Sequence, residues 1–240
     1  MRSKIFLFIS LFLIGHNIQA QNIRVVTEEN AYAFMQDGKV SGPATKVAEL
    51  SLQNAGFTDY KVNIYPWARS YELALKVPNV LIYTIIRTPE RENLFKWTGE
   101  LMKIHFYLYK LKERNDISLN NLNDAKRYTI GVIRDDVRHQ YLVKEGFQKL
   151  VISAQSIDSF DRLINRQVDL VPFNDDDPQQ LCKAKKFDCD KLERVLTLNE
   201  MSTGMYMAFS LSTPDSIVER TQKAFEKLKA DGTVKKIMSN

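Results

Sequence analysis

The hydrophobic and polar positions of this chain alternate with the periods of strands and helices, and one apolar run stands out. Val80–Ile86 carries no charged residue, which predicts a strand buried on both faces, as in a parallel sheet. The run ends at Arg87, where Thr88 and Pro89 fit the cap and first position of a short helical turn. Ligands bind at the carboxyl ends of strands in open α/β sheets, so this pattern brings Arg87 and Arg91 to a candidate site.

The remaining periodic segments alternate between strand and helix patterns on both sides of this run. The predicted strands are Ile23–Thr27, Tyr60–Ile64, Ile104–Leu111, Tyr128–Ile133, Val151–Ile152, Asp169–Phe173, Leu192–Leu198 and Gly204–Leu211. The predicted helices begin near Pro43, after Trp67, at Asp135 or Asp136, at Ser156, at Asp177–Pro178 and at Thr213–Pro214. The β-α-β-α-β alternation up to Ile86 predicts parallel strands, and the pattern of the whole chain predicts an α/β protein in two halves of similar size without a disordered linker.

The first twenty residues have the pattern of a secretory signal peptide rather than of a folded element. Arg2 and Lys4 precede the apolar run Ile5–Ile14, which is too short to span a bilayer, and Ala20 offers a small residue before a cut at Gln21. We therefore expect a chain of 240 residues that loses residues 1–20 and is exported, most simply into a bacterial periplasm.

Charge and cysteine content narrow the function classes. The net charge of +5 falls to +3 without Arg2 and Lys4, and basic residues alternate with acidic ones, so we expect no nucleic-acid partner. The only cysteines, Cys182 and Cys189, predict a local disulfide in an oxidising compartment. Metal ligation is disfavoured because His105 and His139, the histidines outside the predicted signal peptide, do not belong to a ligand-spaced cluster. We expect no cofactor.

Several residues are candidates for ligand contact. Arg87 and Arg91, beside Thr84, are typical of an anion-binding corner, although both arginines could instead pair with carboxylates of the protein itself. Trp67 and Tyr32 could stack on a ligand, but Trp67 fits a core position equally well.

Arg134 follows a strand end in the second half and is a further candidate. Asp135 and Asp136, which come directly after it, would repel an anion at that helix start. Arg134 therefore ranks below Arg91 as an anion contact.

Four stretches, taken in order, resemble a known family. They are Gln36–Gly42, with its Asp-Gly turn before the first helix, Tyr65-Pro66-Trp67, Thr88-Pro89-Glu90-Arg91, and Ala224–Thr233, with its Asp-Gly-Thr end. Together they cover the mature chain and make it resemble a bacterial extracellular solute-binding protein of family 3, the polar amino-acid type.

The resemblance implies a two-lobed, type II periplasmic-binding-protein-like fold with a ligand cleft between the lobes. Residues 1–20 would be the signal peptide, residues 21–105 and 206–240 lobe 1, and residues 106–205 lobe 2. Two hinge strands, near 104–110 and 202–210, would join the lobes and allow them to close.

The resemblance also implies roles for individual residues. Arg91 would hold the α-carboxylate of an amino acid, and an acidic position late in lobe 2 would hold the α-amino group. The nearest matches to that position are Asn174 and Asp175, and the run of acidic residues leaves the register open.

The sequence departs from the family pattern in three places. Asn30-Ala31 stands where paired prolines are usual, and Pro78-Asn79 lacks the usual acidic residue. Arg87 is an extra cation, which indicates either a ligand with more than one acidic group or an internal partner such as Glu28 or Glu90.

The expected function is that of a non-enzymatic periplasmic receptor. It would act as a monomer, capture a small polar solute, such as an amino acid or related carboxylate, and deliver it to an inner-membrane permease of an ABC transporter. One alternative is a dehydratase or lyase on the same scaffold, which would need an acid–base pair from Glu28, Asp175 or His139. Another is a module that senses a solute for a membrane signalling partner.

Overall fold

A computed structural model of the protein describes residues 22–201 and 203–239; the predicted signal peptide lies outside these residues. The strands of the described part are β1 Ile23–Thr27, β2 Phe34–Gln36, β3 Lys39–Ser41, β4 Tyr60–Ile64, β5 Val80–Ile86, β6 Phe95–Ile104, β7 Phe106–Leu111, β8 Ile130–Ile133, β9 Leu150–Ser153, β10 Val171–Asn174, β11 Leu192–Thr197 and β12 Thr203–Ser210. The α-helices are α1 Pro43–Asn54, α2 Trp67–Lys76, α3 Val137–Lys144, α4 Ser156–Ile164, α5 Asp177–Lys185, α6 Asp215–Ala230 and α7 Thr233–Met238.

The first lobe is built on a five-stranded sheet with the order β4-β1-β5-β12-β6. Strands β4 and β5 run parallel to β1, and β12 runs antiparallel to both of its neighbours. Strand β5 lies at the centre, and each of its seven residues is buried, which confirms the prediction for Val80–Ile86. Helices α1 and α2 pack against this sheet and cover its central strands.

The second lobe repeats this pattern with shorter strands. Strand β7 pairs antiparallel with both β10 and β11, and β8 pairs parallel with β9. A parallel bridge between Ile130 and Leu170 connects the two groups of strands. The sheet therefore extends in the order β9-β8-β10-β7-β11, and helices α4 and α5 pack on its central strand β10.

The chain passes between the lobes twice. Strand β6 ends at Ile104 and β7 begins at Phe106, while the return runs from the end of β11 at Thr197 to the start of β12 at Thr203. Two strand connections and a cleft between two sheets are the architecture expected from the sequence. The division at 105/106 and 205/206 remains a prediction.

Four elements differ from the sequence-based expectation: the hairpin strands β2 and β3, where the sequence predicted only a loop and a turn, strand β6, and helix α7. Strand β6 was not predicted, and the predicted strand Ile104–Leu111 matches β7. Strand β6 is an edge strand in which the partly buried Lys96 and Glu100 and the exposed Lys103 interrupt the apolar pattern. Helix α7 follows Gly232, where the sequence predicted only the end of α6. Gly232 has a φ of 82°, so it ends one helix and turns the chain into the next.

The disulfide between Cys182 and Cys189 is formed and joins α5 to the turn that leads into β11. None of the helices in residues 22–201 and 203–239 has the length and apolar character needed to cross a bilayer. Nor does that part of the chain contain a group of three or more histidine, cysteine, aspartate or glutamate side chains arranged so that they could hold a metal ion.

Candidate functional site

A small cavity lies between the lobes, at the carboxyl ends of the central strands of the first sheet. Its volume is about 30 Å³, which is room for roughly one water molecule. The five-stranded sheet and the loops and helix that join its strands contribute Glu28, Asn30, Tyr32, Trp67, Thr84, Ile86, Arg91, Ile104 and Met205 to its lining. The second lobe contributes Phe106, Asp136, Arg138, Ser156, Asn174 and Asp177.

Six of the nine residues predicted to contact a ligand line this cavity. They are Glu28, Tyr32, Trp67, Thr84, Arg91 and Asn174. They come from the loop after β1, the start of α2, strand β5, the turn after it, and the end of β10. Sequence reasoning thus brought together residues that are far apart in the chain and adjacent in the fold.

Thr84 bulges out of β5 beside the cavity. Its φ is 58°, a left-handed conformation that a β-branched residue rarely adopts, and the register between β5 and β12 shifts at this position. The Thr84 hydroxyl lies 2.8 Å from the Thr27 hydroxyl and accepts a hydrogen bond from Nδ2 of Asn30 at 3.1 Å. The bulge therefore ties β5 to the loop that carries Glu28.

Arg91 lies in the 3-10 turn Pro89–Leu94, and its side chain is almost completely buried, with 1% exposure. Its guanidinium group packs over the rings of Trp67, at 5.3 Å, and Tyr71, at 4.9 Å. Aromatic faces on the first lobe therefore hold Arg91 at the boundary between the lobes.

Arg91 also donates hydrogen bonds within and across the cleft. Nη1 donates to the carbonyl oxygen of Ile86 at 3.2 Å, and Nη2 donates to Oε1 of Gln140 at 3.1 Å and to the carbonyl oxygen of Asp135 at 3.4 Å. Its Nε is buried without a hydrogen-bond partner in residues 22–201 and 203–239. Burial lowers the pKa of Arg91, although an arginine stays charged at any physiological pH.

The second lobe places a buried ion cluster, Asp136, Arg138 and Asp177, opposite Arg91. Nε of Arg138 donates to Asp136 at 2.5 Å, and Nη1 donates to Asp177 at 3.3 Å and to the carbonyl oxygen of Pro172 at 3.2 Å. Burial alone would raise the pKa of Asp136, but Arg138 holds it below its ordinary value. Burial raises the pKa of Asp177, against an opposing effect of Arg138.

Glu28 faces this cluster from the first lobe. Burial, reinforced by the charges of Asp136 and Asp177, raises the pKa of Glu28 to about 8, and Arg138 and Arg91 only partly oppose this. Within the described residues, the Glu28 carboxyl group takes part in no hydrogen bond or ion pair; only its backbone carbonyl accepts hydrogen bonds, from Thr27 and Asn30.

Direct contacts hold the lobes closed around the cavity. Nε1 of Trp67 donates to the carbonyl oxygen of Asp135 at 2.9 Å, and the hydroxyl of Tyr32 donates to the carboxylate of Asp176. Burial and the acceptor Asp176 raise the pKa of Tyr32, so the phenol remains a donor. Aromatic side chains of the first lobe thus contact the beginnings of α3 and α5 in the second.

The other three predicted contact residues lie outside the cavity lining. Arg87 forms a two-pronged ion pair with Glu92, at 2.8 and 2.5 Å, and packs between Trp97 and Tyr206. Arg87 therefore has an internal carboxylate partner, which was one of the two alternatives that the sequence left open. The partner is Glu92 rather than Glu28 or Glu90.

Arg134 and Asp175 are exposed. Asp175 pairs with Arg194 at 3.2 Å and lies 3.7 Å from His105. The residue of this acidic run that reaches the cavity is Asp177, because Asn174 ends β10 and accepts hydrogen bonds from the backbone of Asp176 and Asp177, which turns the chain there.

Sequence reasoning did not identify Arg138, Asp136, Asp177, Asn30 or Ser156 as site residues. Asp136 and Asp177 appeared only as helix-start residues, and Arg138 lies in a stretch of mixed charges that is typical of a solvated surface. The available signal was the spacing of Asp136 and Arg138, since an arginine two residues after a capping aspartate can fold back onto it.

No protein-family model matches the sequence, and no curated protein sequence matches it. Solved structures do match. A histidine kinase sensor domain, described as similar to periplasmic binding proteins, has a TM-score of 0.80 at 16% identity over 91% of this chain and 94% of its own.

Two further solved structures are similar as well. The arginine-, lysine-, histidine-binding protein ArtJ from Geobacillus stearothermophilus has a TM-score of 0.76 at 17% identity, over 90% of this chain and 93% of its own. A structure from work on glutathione import through GshT and the cystine ABC importer of Streptococcus mutans has a TM-score of 0.77 at 18% identity, over 90% and 92% of the two chains. At these identities the likeness shows the fold.

Proposed function

We propose that this chain, which has the two-lobed fold of the periplasmic binding proteins, captures a small polar solute between its lobes and delivers it to an inner-membrane ABC permease. The solute is an amino acid or a related carboxylate. Similar structures of substrate-binding proteins of amino acid ABC transporters support this proposal. So does the cavity, whose charged lining comes from both lobes.

The observation that carries the proposal is the placement of Arg91. It is buried between two aromatic rings, and two of its three acceptors, Asp135 and Gln140, belong to the opposite lobe. A solute carboxylate can take over the donors that Asp135 and Gln140 occupy when the cleft is closed, and can also engage the unpartnered Nε. Opening of the lobes would make room for the solute, since the closed cavity holds little more than a water molecule.

The lobe boundaries belong to this proposal. Residues 21–105 and 206–240 would move as one body and residues 106–205 as the other, about the connections near His105 and Thr203. Export through a signal peptide cut near Ala20 places the protein in the periplasm, where it acts as a monomer.

A sensing role for a membrane partner is the second candidate, and one observation favours it. The structure with the TM-score of 0.80 is a histidine kinase sensor domain. Both roles need the same cleft and solute. They differ in the membrane partner that binds the closed state, which is a permease in the first role and a signalling protein in the second.

An enzyme on this scaffold has less support. Of the three residues considered for acid–base chemistry, only Glu28 lines the cavity. Asp175 pairs with Arg194 outside it, and Nδ1 of His139 accepts a hydrogen bond from the backbone of Asp135. Similar structures are binding proteins.

A thermal-shift screen of the exported protein against amino acids, dicarboxylates, small peptides and sugars tests the proposal. A solute present at about 100 times its Kd stabilises the native state by ~2.7 kcal/mol, which corresponds to roughly 5–10 °C for a chain of this size. We expect Arg91→Met to lose this shift, because methionine keeps the apolar stem but supplies no donors.

Arg69→Met is the matched control, because Arg69 is an exposed arginine of the same lobe that packs on Tyr65. It should keep the full shift. A solute that stabilises the Arg91→Met protein as strongly as the wild type would contradict the assignment of Arg91, and no shift with any compound would contradict the proposed function.

A further inference from the structure

A second cavity between the lobes is much larger than the first. Its volume is about 520 Å³, against about 30 Å³ for the small cavity beside Glu28, and small-molecule sites usually have about 300–1,000 Å³. Residues 86–90 of the first lobe line it, together with Glu200, Met201 and Thr203 of the return connection after β11. The second lobe contributes one face of α3, at Val137, Gln140, Tyr141 and Lys144, and the adjoining Glu145. We call this space the outer groove and the small cavity the central cavity.

Side-chain contacts join the walls of the outer groove. Nζ of Lys144 pairs with Glu90 at 2.7 Å, and the Tyr141 hydroxyl donates to the carboxylate of Glu200. Both lobes and the return connection also supply buried apolar side chains, which are Ile86, Val137 and Met201. A molecule in the outer groove therefore contacts both lobes and the return connection at once, and its binding favours the closed arrangement of the lobes.

Gln140 connects the outer groove to Arg91. It is exposed and lines the groove, and its Oε1 accepts a hydrogen bond from Nη2 of Arg91 at 3.1 Å. Nε of Arg91, which is buried without a partner in residues 22–201 and 203–239, lies on the same edge of the guanidinium plane as Nη2. A carboxylate binds such an edge by two parallel hydrogen bonds, which together are stronger than one bond to a neutral amide. A solute carboxylate that replaces Oε1 of Gln140 therefore uses both donors, and the rest of the solute lies in the outer groove, where the Gln140 side chain now lies.

The central cavity is a poor place for the body of this solute. It has room for about one water molecule, and three carboxyl groups line it, those of Glu28, Asp136 and Asp177. Arg138 is already engaged by both aspartates, so it has less capacity to pair with a further carboxylate. A carboxylate that approaches from the outer groove reaches Arg91 without passing these three carboxyl groups.

The length of the outer groove indicates the size of its occupant. Glu145 lies five residues after Gln140, which is about 7.5 Å along the axis of α3 at ~1.5 Å per residue. Two peptide residues in an extended conformation span about 7 Å. Within the described part of the chain, the ion pair of Lys144 with Glu90 leaves the neighbouring Glu145 carboxylate without a cation. A solute that is anchored at Arg91 and reaches Glu145 therefore has about the length of a dipeptide.

We propose that the solute is a carboxylate on an extended apolar body, as in a short peptide or an N-acylated amino acid. The body binds in the outer groove, and the carboxylate displaces Gln140 and pairs with Nε and Nη2 of Arg91. This rests on the proposed solute-binding function and adds to it the size of the solute and the place of its body. Glu145 distinguishes the two kinds of solute, since it attracts the terminal ammonium group that only the peptide carries.

Isothermal titration calorimetry of the exported protein with four probes tests this inference. The probes are L-leucine, L-leucyl-L-leucine, its C-terminal amide, and N-hexanoyl-L-leucine, which is close to the dipeptide in length but lacks the ammonium group. We expect at least one of the two extended carboxylates to bind about tenfold or more tightly than L-leucine, because it buries a further apolar group. The amide should bind about tenfold or more weakly than L-leucyl-L-leucine, because it cannot form the charged pair with Arg91. Tighter binding of the dipeptide would identify a peptide, and tighter binding of N-hexanoyl-L-leucine would identify an acylated amino acid.

Gln140→Glu is the informative variant because it keeps the shape of the side chain and supplies its own carboxylate to Arg91. It should weaken the binding of the extended carboxylates about tenfold or more. Gln148→Glu adds the same charge at an exposed position of the second lobe outside the outer groove, so it should keep the wild-type affinity. Glu145→Lys provides a second test, since it should weaken L-leucyl-L-leucine more than N-hexanoyl-L-leucine.

The outcomes separate the two proposals. Binding of L-leucine as tight as that of both extended carboxylates, equal binding of the dipeptide and its amide, or wild-type affinity in Gln140→Glu would overturn this inference and leave the solute-binding function standing. The same holds if no probe binds while the thermal-shift screen identifies a free amino acid, a dicarboxylate or a sugar. A small peptide identified by the screen takes the place of L-leucyl-L-leucine in the same comparison with its amide. If neither the probes nor the screen yields a solute, both proposals fall.

Discussion

At the scale of single residues, Thr84 combines a strained backbone with a buried side chain at the cleft. A β-branched residue with a φ of 58° costs free energy, which is offset by the hydrogen bonds of its hydroxyl group to Thr27 and Asn30. Strain of this kind persists where the surrounding structure requires it, and here it directs the side chain of Thr84 into the cleft.

Two substitutions of Thr84 separate strain from hydrogen bonding. Thr84→Gly removes both the strain and the hydroxyl, so we expect it to change the free energy of unfolding by less than about 1 kcal/mol. Thr84→Val keeps the β-branched strain and leaves the polar groups of Thr27 and Asn30 without their partner, which should cost about 1–3 kcal/mol. Urea denaturation measures both, and a valine variant as stable as the glycine variant would contradict this account.

Glu28 should make stability depend on pH. Because the pKa of Glu28 in the folded protein, about 8, lies above its ordinary value of 4.5, the folded state binds more protons between these two pH values. The stabilisation from the protonated group is full below about pH 4.5 and is lost as the pH rises through about 8.

The Tm of Glu28→Gln should therefore equal that of the wild type near pH 5 and exceed it near pH 9 by at least about 2–4 °C, the shift that ~1 kcal/mol produces. Thermal melts across this pH range measure the difference. Glu29→Gln should follow the wild type throughout, and a constant difference between Glu28→Gln and the wild type would argue against a protonated Glu28.

At the scale of elements, the sheet of the first lobe depends on a close approach between β6 and α6. A Cβ atom added at Gly99 would lie 2.2 Å from ring carbons of Phe225, closer than two carbon atoms can approach. Phe225 is fully buried, so the ring cannot move away freely. Gly99 is therefore required by packing rather than by its own backbone conformation.

We expect Gly99→Ala to destabilise the protein by about 1–3 kcal/mol, because the added methyl group displaces the ring of Phe225. Combining it with Phe225→Leu should recover part of the loss, as a double-mutant cycle would show. Gly38→Ala is a useful comparison, since nothing lies within 4 Å of its Cβ position while its φ is 74°, so only backbone strain of about 1 kcal/mol is expected. Equal effects of the two alanine substitutions would contradict the packing argument.

At the scale of the whole molecule, Trp67 reports on the closure of the lobes. It belongs to the first lobe, is 2% exposed, and donates to a carbonyl oxygen of the second lobe. The chain has only two tryptophans, and the other, Trp97, donates to Glu92 within the first lobe. Opening of the cleft must therefore expose Trp67 and leave Trp97 in place.

In the Trp97→Phe variant, the solute identified by the thermal-shift screen should shift the emission of Trp67 to shorter wavelength as the lobes close over it. Fluorescence titration should give the same Kd as calorimetry. The Trp67→Phe variant, which keeps only Trp97, should show little change. A response carried by Trp97 would contradict closure of the lobes about the proposed connections.

The sequence was informative where physical effects are local or periodic. The continuous apolar run Val80–Ile86 identified the central buried strand, and Thr88-Pro89 identified the turn that carries Arg91. The short spacing of Cys182 and Cys189 identified the disulfide. Each of these follows from steric preferences and burial along a few consecutive residues, which the sequence records directly.

Tertiary structure alone decided which charges meet in the cleft. Arg87 and Arg91 lie four residues apart, yet one pairs with Glu92 at the surface and the other is buried beside the second lobe. Arg138 and Asp177 have the sequence surroundings of solvated residues, but both line the cavity opposite Glu28. Burial, pKa and pairing depend on groups brought together from distant parts of the chain, so the sequence could indicate candidates for the site but not its balance of charge.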